Sequence, residues 1–330
     1  MKKIYLLILF LIIVTSVYSD ELSNIPAAFL DVGFGARAMA MGGAYVAITQ
    51  RANSILWNPA GLSNASGKHN ISLDNVDFQN LYNYSFFGYG CKLKGDHAFG
   101  TGMIYSGDDA MSETTFYLSG AFNCKKFIKP KLFKKFSLGI NFKYFGSSFG
   151  NNDDGSFIDE LGEHQVSGSA NGFGMDLGLQ SEISIVKKRS IDQIGIMWRN
   201  PFSTLNWESE NEVGTAEGSY SEELPPSLII GYGMIKERFI FSLDYEKALF
   251  KDVEDMIRTG TEFRLFGRTM ALRMGYSQEI YTGDNRRYSI GLGFHINIKR
   301  KSLLLFDIAY QIQTQWEGND ILRISCDLAL

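Results

Sequence analysis

The sequence predicts an all-β protein, a fourteen-stranded antiparallel transmembrane β-barrel with an N-terminal plug (hatch). Two observations carry this prediction: apolar and polar residues alternate with a period of two in many segments, and no apolar run approaches the roughly 20 residues that a membrane-spanning helix needs. The composition agrees, since 34 Gly and 14% aromatic residues occur at a mean hydropathy of only -0.08. Such values are typical of a barrel, in which every second strand residue faces lipid.

Residues 1–19 have the pattern of a secretory signal peptide. Lys2 and Lys3 precede an apolar run over residues 4–14, and Val17 and Ser19 place small residues three and one positions before a cut. We therefore expect the mature chain to start at Asp20. No Cys follows the cut, so a lipid anchor is not expected, and an uncleaved helical anchor is the alternative to cleavage.

The alternation is clearest in residues 136–144. Its apolar set is Phe136, Leu138, Ile140, Phe142 and Tyr144, and its polar set is Ser137, Gly139, Asn141 and Lys143. We expect one face to meet lipid and the other to line a polar lumen. A soluble β-sandwich could show the same alternation, but its inner face would have to pack dry, and Gly, Asp, Lys and Arg would be unusual there.

Fourteen segments of this kind are predicted as strands. They span residues 69–77, 81–93, 97–106, 114–124, 136–147, 171–185, 191–199, 227–235, 239–247, 257–265, 269–277, 287–297, 302–312 and 320–330. All six prolines fall outside them, as expected where a lost ladder hydrogen bond cannot be replaced by lipid. We expect the last strand to close against the first, so that residues 69–330 form the barrel and residues 20–68 the hatch.

Charge is sorted between the two sets of connections. The short links that follow even-numbered strands are rich in Lys and Arg, whereas the opposite set is rich in Asp and Glu, with its two longest members at about 148–170 and 200–226. Short turns face the periplasm in bacterial barrels and longer loops face outwards. We therefore expect acidic extracellular loops and periplasmic N- and C-termini in a bacterial outer membrane.

Residues 20–68 are predicted to fill the lumen, because a fourteen-stranded barrel is too wide for strand side chains to fill. Ala36 to Ala47 is so rich in Gly and Ala that a short helix there can approach the wall closely. Residues 58–61 have a turn sequence, in which Pro fixes one dihedral and Gly permits positive φ. The candidate gate residues are Gly42, Gly43, Asn53, Trp57, Asn58, Pro59, Ala60 and Gly61. A static packing plug is the alternative to a moving gate.

The hatch sequence resembles a known family over residues 28–62. It contains GARAMAMGGAYVA at residues 35–47 and WNPAGL at residues 57–62. These stretches resemble the hatch of the FadL-like long-chain fatty-acid transporters, and more closely the branch that includes the PorV and PorQ proteins. The resemblance implies a fourteen-stranded barrel with a plug. The chain departs from the family in its longer acidic loops and in having no aromatic residue at its C-terminus.

Two functions follow from the resemblance. The first is a passive channel for hydrophobic small molecules such as long-chain fatty acids. The alternative is a non-catalytic, PorV-type component of a protein secretion system that binds exported cargo. The partners expected are outer-membrane lipid, the barrel-assembly machinery and either a hydrophobic small molecule or secreted protein cargo.

A lumenal charge network is predicted from strand register. Arg258, Glu262 and Arg264 share one strand face, and Arg273 lies on the polar face of the next strand. We expect these four residues to anchor the hatch.

Catalysis, metal binding and nucleic-acid binding are not expected. The histidines near strands, His69, His97 and His295, accompany no nucleophile motif. The stretch Asn151 to Gly155 lacks the first and twelfth carboxylates of a calcium loop. The three cysteines, Cys91, Cys124 and Cys326, form no CxxC pair and fall on the lipid-facing register. No cofactor is therefore predicted.

Overall fold

The computed structural model describes eleven stretches of the chain. They are residues 33–78, 82–107, 111–124, 133–149, 167–183, 190–210, 218–251, 253–282, 285–299, 302–314 and 320–330. The predicted signal peptide and the first part of the hatch lie outside these residues. No described helix has the length and apolarity to cross a membrane.

The described strands form one continuous antiparallel sheet. They are β1 (His69–Phe78), β2 (Tyr82–Lys92), β3 (Ala98–Gly107), β4 (Met111–Asn123), β5 (Phe133–Phe149), β6 (Ser167–Ile183), β7 (Ile191–Glu210), β8 (Gly218–Glu222), β9 (Ser227–Lys236), β10 (Phe239–Ala248), β11 (Met256–Leu265), β12 (Met270–Glu279), β13 (Arg286–Lys299), β14 (Ser302–Gln313) and β15 (Ile321–Ala329). β1 pairs with β15, β6 with β7, and β7 with β9, which closes a fourteen-stranded ring. The short β8 pairs with the end of β7, outside the ring. The predicted fold class is confirmed.

The exposed outer face of the barrel wall is apolar and its buried inner face is largely polar, which is the reverse of a soluble protein. In β5, Leu138 and Phe142 are 43% and 54% exposed on the outside, whereas Ser137 and Asn141 are fully buried on the inside. β3 alternates strictly between buried and exposed residues over its whole length. The apolar outer face suits lipid, and the ring encloses the polar face.

β7 differs from its prediction in a way that involves a proline. The strand was expected to end at residue 199 and to be followed by a loop, but it continues through Pro201 to Glu210. The expectation that all six prolines lie outside strands is therefore wrong for Pro201. Gly174 pairs with Ser203 and Asp176 with Arg199, so three residues of β7 bulge opposite one of β6. A proline is tolerated in such a bulge because no ladder hydrogen bond is lost there.

The described part of the hatch lies inside the ring. It contains two short α-helices, α1 (Ala36–Ala40) and α2 (Ser54–Trp57), followed by a 3-10 helix (Pro59–Asn64). Two further 3-10 turns, Lys94–Asp96 and Phe266–Arg268, connect strands. Hatch side chains bond to opposite sides of the wall: Arg37 to β11, Asn58 to β6 and Ser63 to β5. The predicted plug is thus present as a buried segment surrounded by strands.

Candidate functional site

The hatch backbone lies directly against the barrel wall at glycines. A Cβ atom added at any of five wall positions would overlap hatch atoms: Gly139 with Ala60, Gly178 with Asn58, Gly195 with Val46, Gly260 with Met41 and Gly275 with Gly42. These glycines belong to five different strands, β5, β6, β7, β11 and β12. The Gly-rich inner register therefore gives the hatch a close fit on several sides.

Gly42 and Gly43 form the turn that follows α1. Both have positive φ, 66° and 75°, which favours glycine. A Cβ at Gly42 would also lie 2.7 Å from the carbonyl oxygen of Tyr276 and 2.9 Å from that of Thr259. The turn therefore requires glycine for its backbone conformation and, at Gly42, for space against β11 and β12.

Asn58 joins the hatch to the wall. Its Nδ2 donates to the carbonyl oxygens of Leu179 on β6, at 2.9 Å, and of Val46 in the hatch, at 3.1 Å. Its Oδ1 accepts from the Ala60 amide at 3.2 Å and so caps the 3-10 helix, in which Pro59 is the first residue. This asparagine holds the position of the predicted turn.

Gly61 does not have the backbone conformation expected from the turn sequence. Its φ is not positive, and it lies within the 3-10 helix. A Cβ there would lie 2.6 Å from the Thr49 carbonyl oxygen and 2.7 Å from the Ser54 Oγ. Glycine is needed at this position for close packing, and the expectation of positive φ is wrong.

Trp57 and Asn53 belong to the core of the hatch. The Trp57 Nε1 donates to the Phe34 carbonyl oxygen at 3.0 Å, and its ring meets the Tyr45 ring edge-on at 5.9 Å. Asn53 is 5% exposed, and its Oδ1 has no hydrogen-bond partner among the described residues. Of the eight candidate gate residues, only Gly42, Gly43 and Trp57 line the cavity described below.

The predicted charge network is divided in two. Glu262 accepts from the Nε atoms of Arg264 at 2.7 Å, of Arg37 at 2.8 Å and of Arg273 at 2.9 Å, and Arg273 also donates to Asp307 at 2.7 Å. This cluster ties the hatch to β11, β12 and β14. Burial lowers the pKa of Arg37, but the charge of Glu262 outweighs burial and raises it, so the guanidinium stays charged.

Arg258 lies apart from that cluster. It forms an ion pair with Glu246, which also lies 3.7 Å from Arg199. Glu262 lies four positions after Arg258, about 13 Å further along β11, so their shared face does not bring the two side chains together. The prediction of a single network of four residues is therefore wrong for Arg258.

Further wall residues that were not predicted also hold the hatch, among them Asp244, Gln180 and Asn141. The Asp244 Oδ2 accepts from the backbone amides of Tyr45 at 2.7 Å and Val46 at 2.9 Å. The Gln180 Nε2 donates to the carbonyl oxygens of Ala47 and Thr49, and the Asn141 Nδ2 donates to that of Ile55. All three lie on the polar register of their strands, and that register was the available sequence signal.

A cavity of about 80 Å³ lies between the hatch and the wall. Its apolar lining consists of Phe34, Met39, Leu56, Trp57, Ile104 and Tyr117, and its charged lining of Lys143, Asp176, Arg199, Arg258 and Arg287. The Lys143 Nζ donates to the Asp176 Oδ1 at 2.7 Å and to the side chain of Asn200, a residue of the β7 bulge. The lining thus combines an apolar surface with four basic side chains and one acidic side chain.

The chain matches no known family model and no curated protein. It is similar in structure to the CymD monoaromatic hydrocarbon channel, with a TM-score of 0.56 and 15% identity over 90% of this chain and 96% of that one. The toluene transporter TodX of Pseudomonas putida gives 0.54 and 15% over 95% and 98%, and a FadL homologue of Pseudomonas aeruginosa gives 0.56 and 9% over 90% and 98%.

The fold and the buried hatch place this chain in one structural class, closed fourteen-stranded β-barrels that carry an N-terminal plug. Within that class it shares the fold of proteins described as hydrocarbon channels and a toluene transporter. At 9% to 15% identity the likeness concerns the fold.

Proposed function

We propose that this protein is a passive outer-membrane channel for hydrophobic small molecules. The observation that carries the proposal is the cavity between hatch and wall, because six apolar side chains line it. Binding sites for small ligands are concave and largely apolar, with a few polar groups that fix orientation. The shared fold with a toluene transporter and a hydrocarbon channel supports the same function.

The ligand class within this proposal is an amphipathic carboxylate such as a long-chain fatty acid. Lys143, Arg199, Arg258 and Arg287 line the cavity together with a single carboxylate, Asp176. A carboxylate head would share these basic donors with Asp176 and Glu246, which already pair with them, and would lie beside an apolar surface for its chain. A neutral hydrocarbon would use the apolar surface alone.

Passage requires the cavity to widen. A cavity of about 150 Å³ accommodates benzene, and this cavity measures only about 80 Å³. A long acyl chain is larger still, so entry of ligand requires movement of hatch residues or of the wall around them. The hatch is then the gate of the channel.

The proposed location is the bacterial outer membrane, with the acidic loops outside and the termini in the periplasm. The exposed apolar side chains around the wall, such as Phe142, Ile290 and Met274, support burial in lipid. The sorting of basic turns and acidic loops along the sequence supports the orientation.

Uptake of a radiolabelled fatty acid into proteoliposomes tests this function. Ile104 is 2% exposed and lines the cavity, so Ile104→Phe fills part of it. We expect the wild-type protein to accelerate uptake over protein-free liposomes, and Ile104→Phe to slow uptake several-fold. Ile290→Phe makes the same change at a lipid-facing residue that is 57% exposed, and should transport like the wild type. Wild-type uptake equal to that of protein-free liposomes would reject the channel.

One observation favours the alternative, a PorV-type secretion component that binds exported cargo. β7 continues past the last residue that pairs with β9, Arg199, and forms a hairpin with β8. Tyr220 of β8 is 52% exposed and stacks on Trp207. The two strands of this hairpin contain acidic residues, including Glu208, Glu210 and Glu222. Such a projecting surface suits a protein partner.

The genome sequence can distinguish the two functions. The secretion role requires that the same genome encode exported proteins with a matching C-terminal sorting domain. A genome without such proteins contradicts the secretion role and leaves the channel. Lipids that copurify with the folded barrel, identified by mass spectrometry, would support the channel directly.

A further inference from the structure

Two neighbouring turns at one end of the barrel form a single surface, called here the paired turns. One consists of residues 236–238, between β9 and β10, and the other of residues 266–268, between β11 and β12. A backbone hydrogen bond joins them, since the Arg264 amide near the end of β11 donates to the Arg238 carbonyl oxygen at 2.7 Å. The first turn therefore lies against the residues that lead into the second.

The paired turns carry exposed bases. Lys236, Arg238 and Arg268 are all exposed, and Glu237 is the only acidic residue of the two turns. The sequence at this end of the barrel has the same character, because its six short links contain sixteen Lys and Arg residues and two acids. These links are residues 94–96, 124–135, 186–190, 236–238, 266–268 and 298–301. Such an excess of bases attracts anionic groups.

The paired turns also present an aromatic surface. Phe266 is 77% exposed, the highest value for a large apolar side chain among the described residues. All three residues of its turn have positive φ, 47° at Phe266, 67° at Gly267 and 78° at Arg268, which only glycine adopts readily. Beside it, Phe263 is 50% exposed and its ring lies 4.9 Å from that of Phe239. Aromatic side chains next to bases are typical of the region where a membrane protein meets lipid headgroups.

We propose that the paired turns bind the phosphate of an anionic phospholipid, such as phosphatidylglycerol, in the leaflet at this end of the barrel. The guanidinium groups of Arg238 and Arg268 hold the phosphate oxygens, and the Lys236 ammonium adds positive charge. Phe263 and Phe266 lie against the upper part of the acyl chains. The site goes beyond the channel function and rests only on the proposed membrane location.

An anionic phospholipid fits this surface better than a zwitterionic one. A phosphatidylcholine headgroup carries its own cation beside the phosphate, and the bases of the paired turns repel that cation. A phosphatidylglycerol headgroup has a net negative charge, to which each nearby Lys or Arg is attracted. The difference between the two lipids therefore measures the contribution of the three bases.

Quenching of tryptophan fluorescence by brominated lipids tests the site. The full-length folded barrel with Phe266→Trp is reconstituted into phosphatidylcholine vesicles that contain increasing fractions of either brominated phosphatidylglycerol or brominated phosphatidylcholine. The wild-type protein in the same vesicles gives the background from the native tryptophans. We expect half-maximal quenching at an about fivefold lower fraction of phosphatidylglycerol, since one base near an anionic surface contributes about that factor.

Two variants in the Phe266→Trp background separate charge from structure. Lys236→Gln/Arg238→Gln/Arg268→Gln removes the bases, and the two lipids should then quench equally. Lys236→Arg/Arg238→Lys/Arg268→Lys keeps the charges, and the preference for phosphatidylglycerol should remain. A second reporter, Phe173→Trp, is the control for position. Phe173 is 65% exposed on the outer face of β6, nearer the opposite end of the barrel, and should show no preference.

Three results would overturn the proposal. These are equal quenching of Phe266→Trp by the two lipids, a preference that the variant without the three bases retains, or an equal preference at Phe173→Trp. Quenching of Phe173→Trp by both lipids shows that the barrel lies in the bilayer, so a failure at Phe266 then counts against the site and not against the membrane location. Heat-modifiable migration on SDS gels checks folding. Should the triple Gln variant not fold, Arg268→Gln alone replaces it and should reduce the preference.

Discussion

Glu262 is one carboxylate that serves three guanidinium groups. It is fully buried and accepts from Arg37, Arg264 and Arg273. Two of its partners belong to the wall and one to the hatch, so a single side chain joins the two parts of the protein. The cluster also illustrates what was predictable at this scale. Strand register placed Glu262, Arg264 and Arg273 on the lumenal face, but it could not show that Arg37, more than 200 residues away in sequence, would complete their set.

The first prediction concerns this carboxylate. Glu262→Gln preserves the shape of the side chain but removes the carboxylate that Arg37, Arg264 and Arg273 share, and of these three only Arg273 keeps another carboxylate partner, Asp307. Removing one partner of a buried ion pair costs about 3–5 kcal/mol. We expect a matching fall in stability, measured as the urea concentration at which the folded form loses its fast gel migration.

Glu182→Gln is the control for this measurement. Glu182 pairs with Lys135, whose side chain is 52% exposed, so the exposed pair contributes at most about 1 kcal/mol. If Glu262→Gln loses its fast gel migration at a urea concentration no lower than Glu182→Gln does, the buried cluster does not stabilise the fold.

At the scale of elements, the hatch and the strands differ in how far sequence predicts them. The ring strands carry their evidence locally, in the alternation of apolar and polar residues, and thirteen of their fourteen segments were predicted close to their observed bounds. β7 was cut short, because Pro201 appeared to end it and the bulge that tolerates Pro201 depends on the neighbouring β6. β8 was missed since its pairing partner is the part of β7 that was not predicted.

The hatch could be predicted as a plug but not in its detailed contacts. The Gly- and Ala-rich stretch indicated close approach to the wall, and Gly42 illustrates that approach. The glycine at position 61 was explained by positive φ, which is wrong, because a turn sequence cannot distinguish a need for positive φ from a need for space. That distinction depends on Thr49 and Ser54, which contact Gly61 only in the folded hatch.

The second prediction concerns the fit between hatch and wall. A Cβ at Gly275 would overlap the hatch backbone at Gly42, so Gly275→Val should displace this part of the hatch. The wall should survive, because its ladder hydrogen bonds do not involve the side chain. We expect normal insertion and heat-modifiable migration, together with raised conductance in a planar bilayer.

Gly146→Val provides the matched control. The nearest atom to a Cβ at Gly146 is on the Tyr144 ring, 3.9 Å away, so a side chain fits there without strain. Its conductance should equal that of the wild type. If the conductance of Gly275→Val equals that of the wild type, the hatch adjusts at this contact without opening a path. That result would count against the proposal that the hatch is the gate.

At the scale of the whole molecule, the third prediction concerns orientation. Ser219 is exposed on β8, and Ser190 lies at the other end of β7, immediately before Ile191. In a variant without the three native cysteines, Ser219→Cys should react with a membrane-impermeant thiol reagent on intact cells, and Ser190→Cys should react only after lysis. The acidic loops would then be external, as proposed. The reverse labelling pattern would invert the topology of the barrel.

The pairing of β1 with β15 has a consequence for how the protein is made. The ladder from Asn70–Ala329 to Asp77–Leu322 joins residues about 250 positions apart, and forming such a distant pairing carries a large loop-closure entropy. The hatch precedes β1 in the chain, yet it is enclosed by wall glycines on β5, β6, β7, β11 and β12. A segment so closely fitted cannot be threaded into a finished cylinder without opening it. The hatch must therefore be in place when the last strand meets the first. The pairing of β1 with β15 is then the final step in assembly of the barrel.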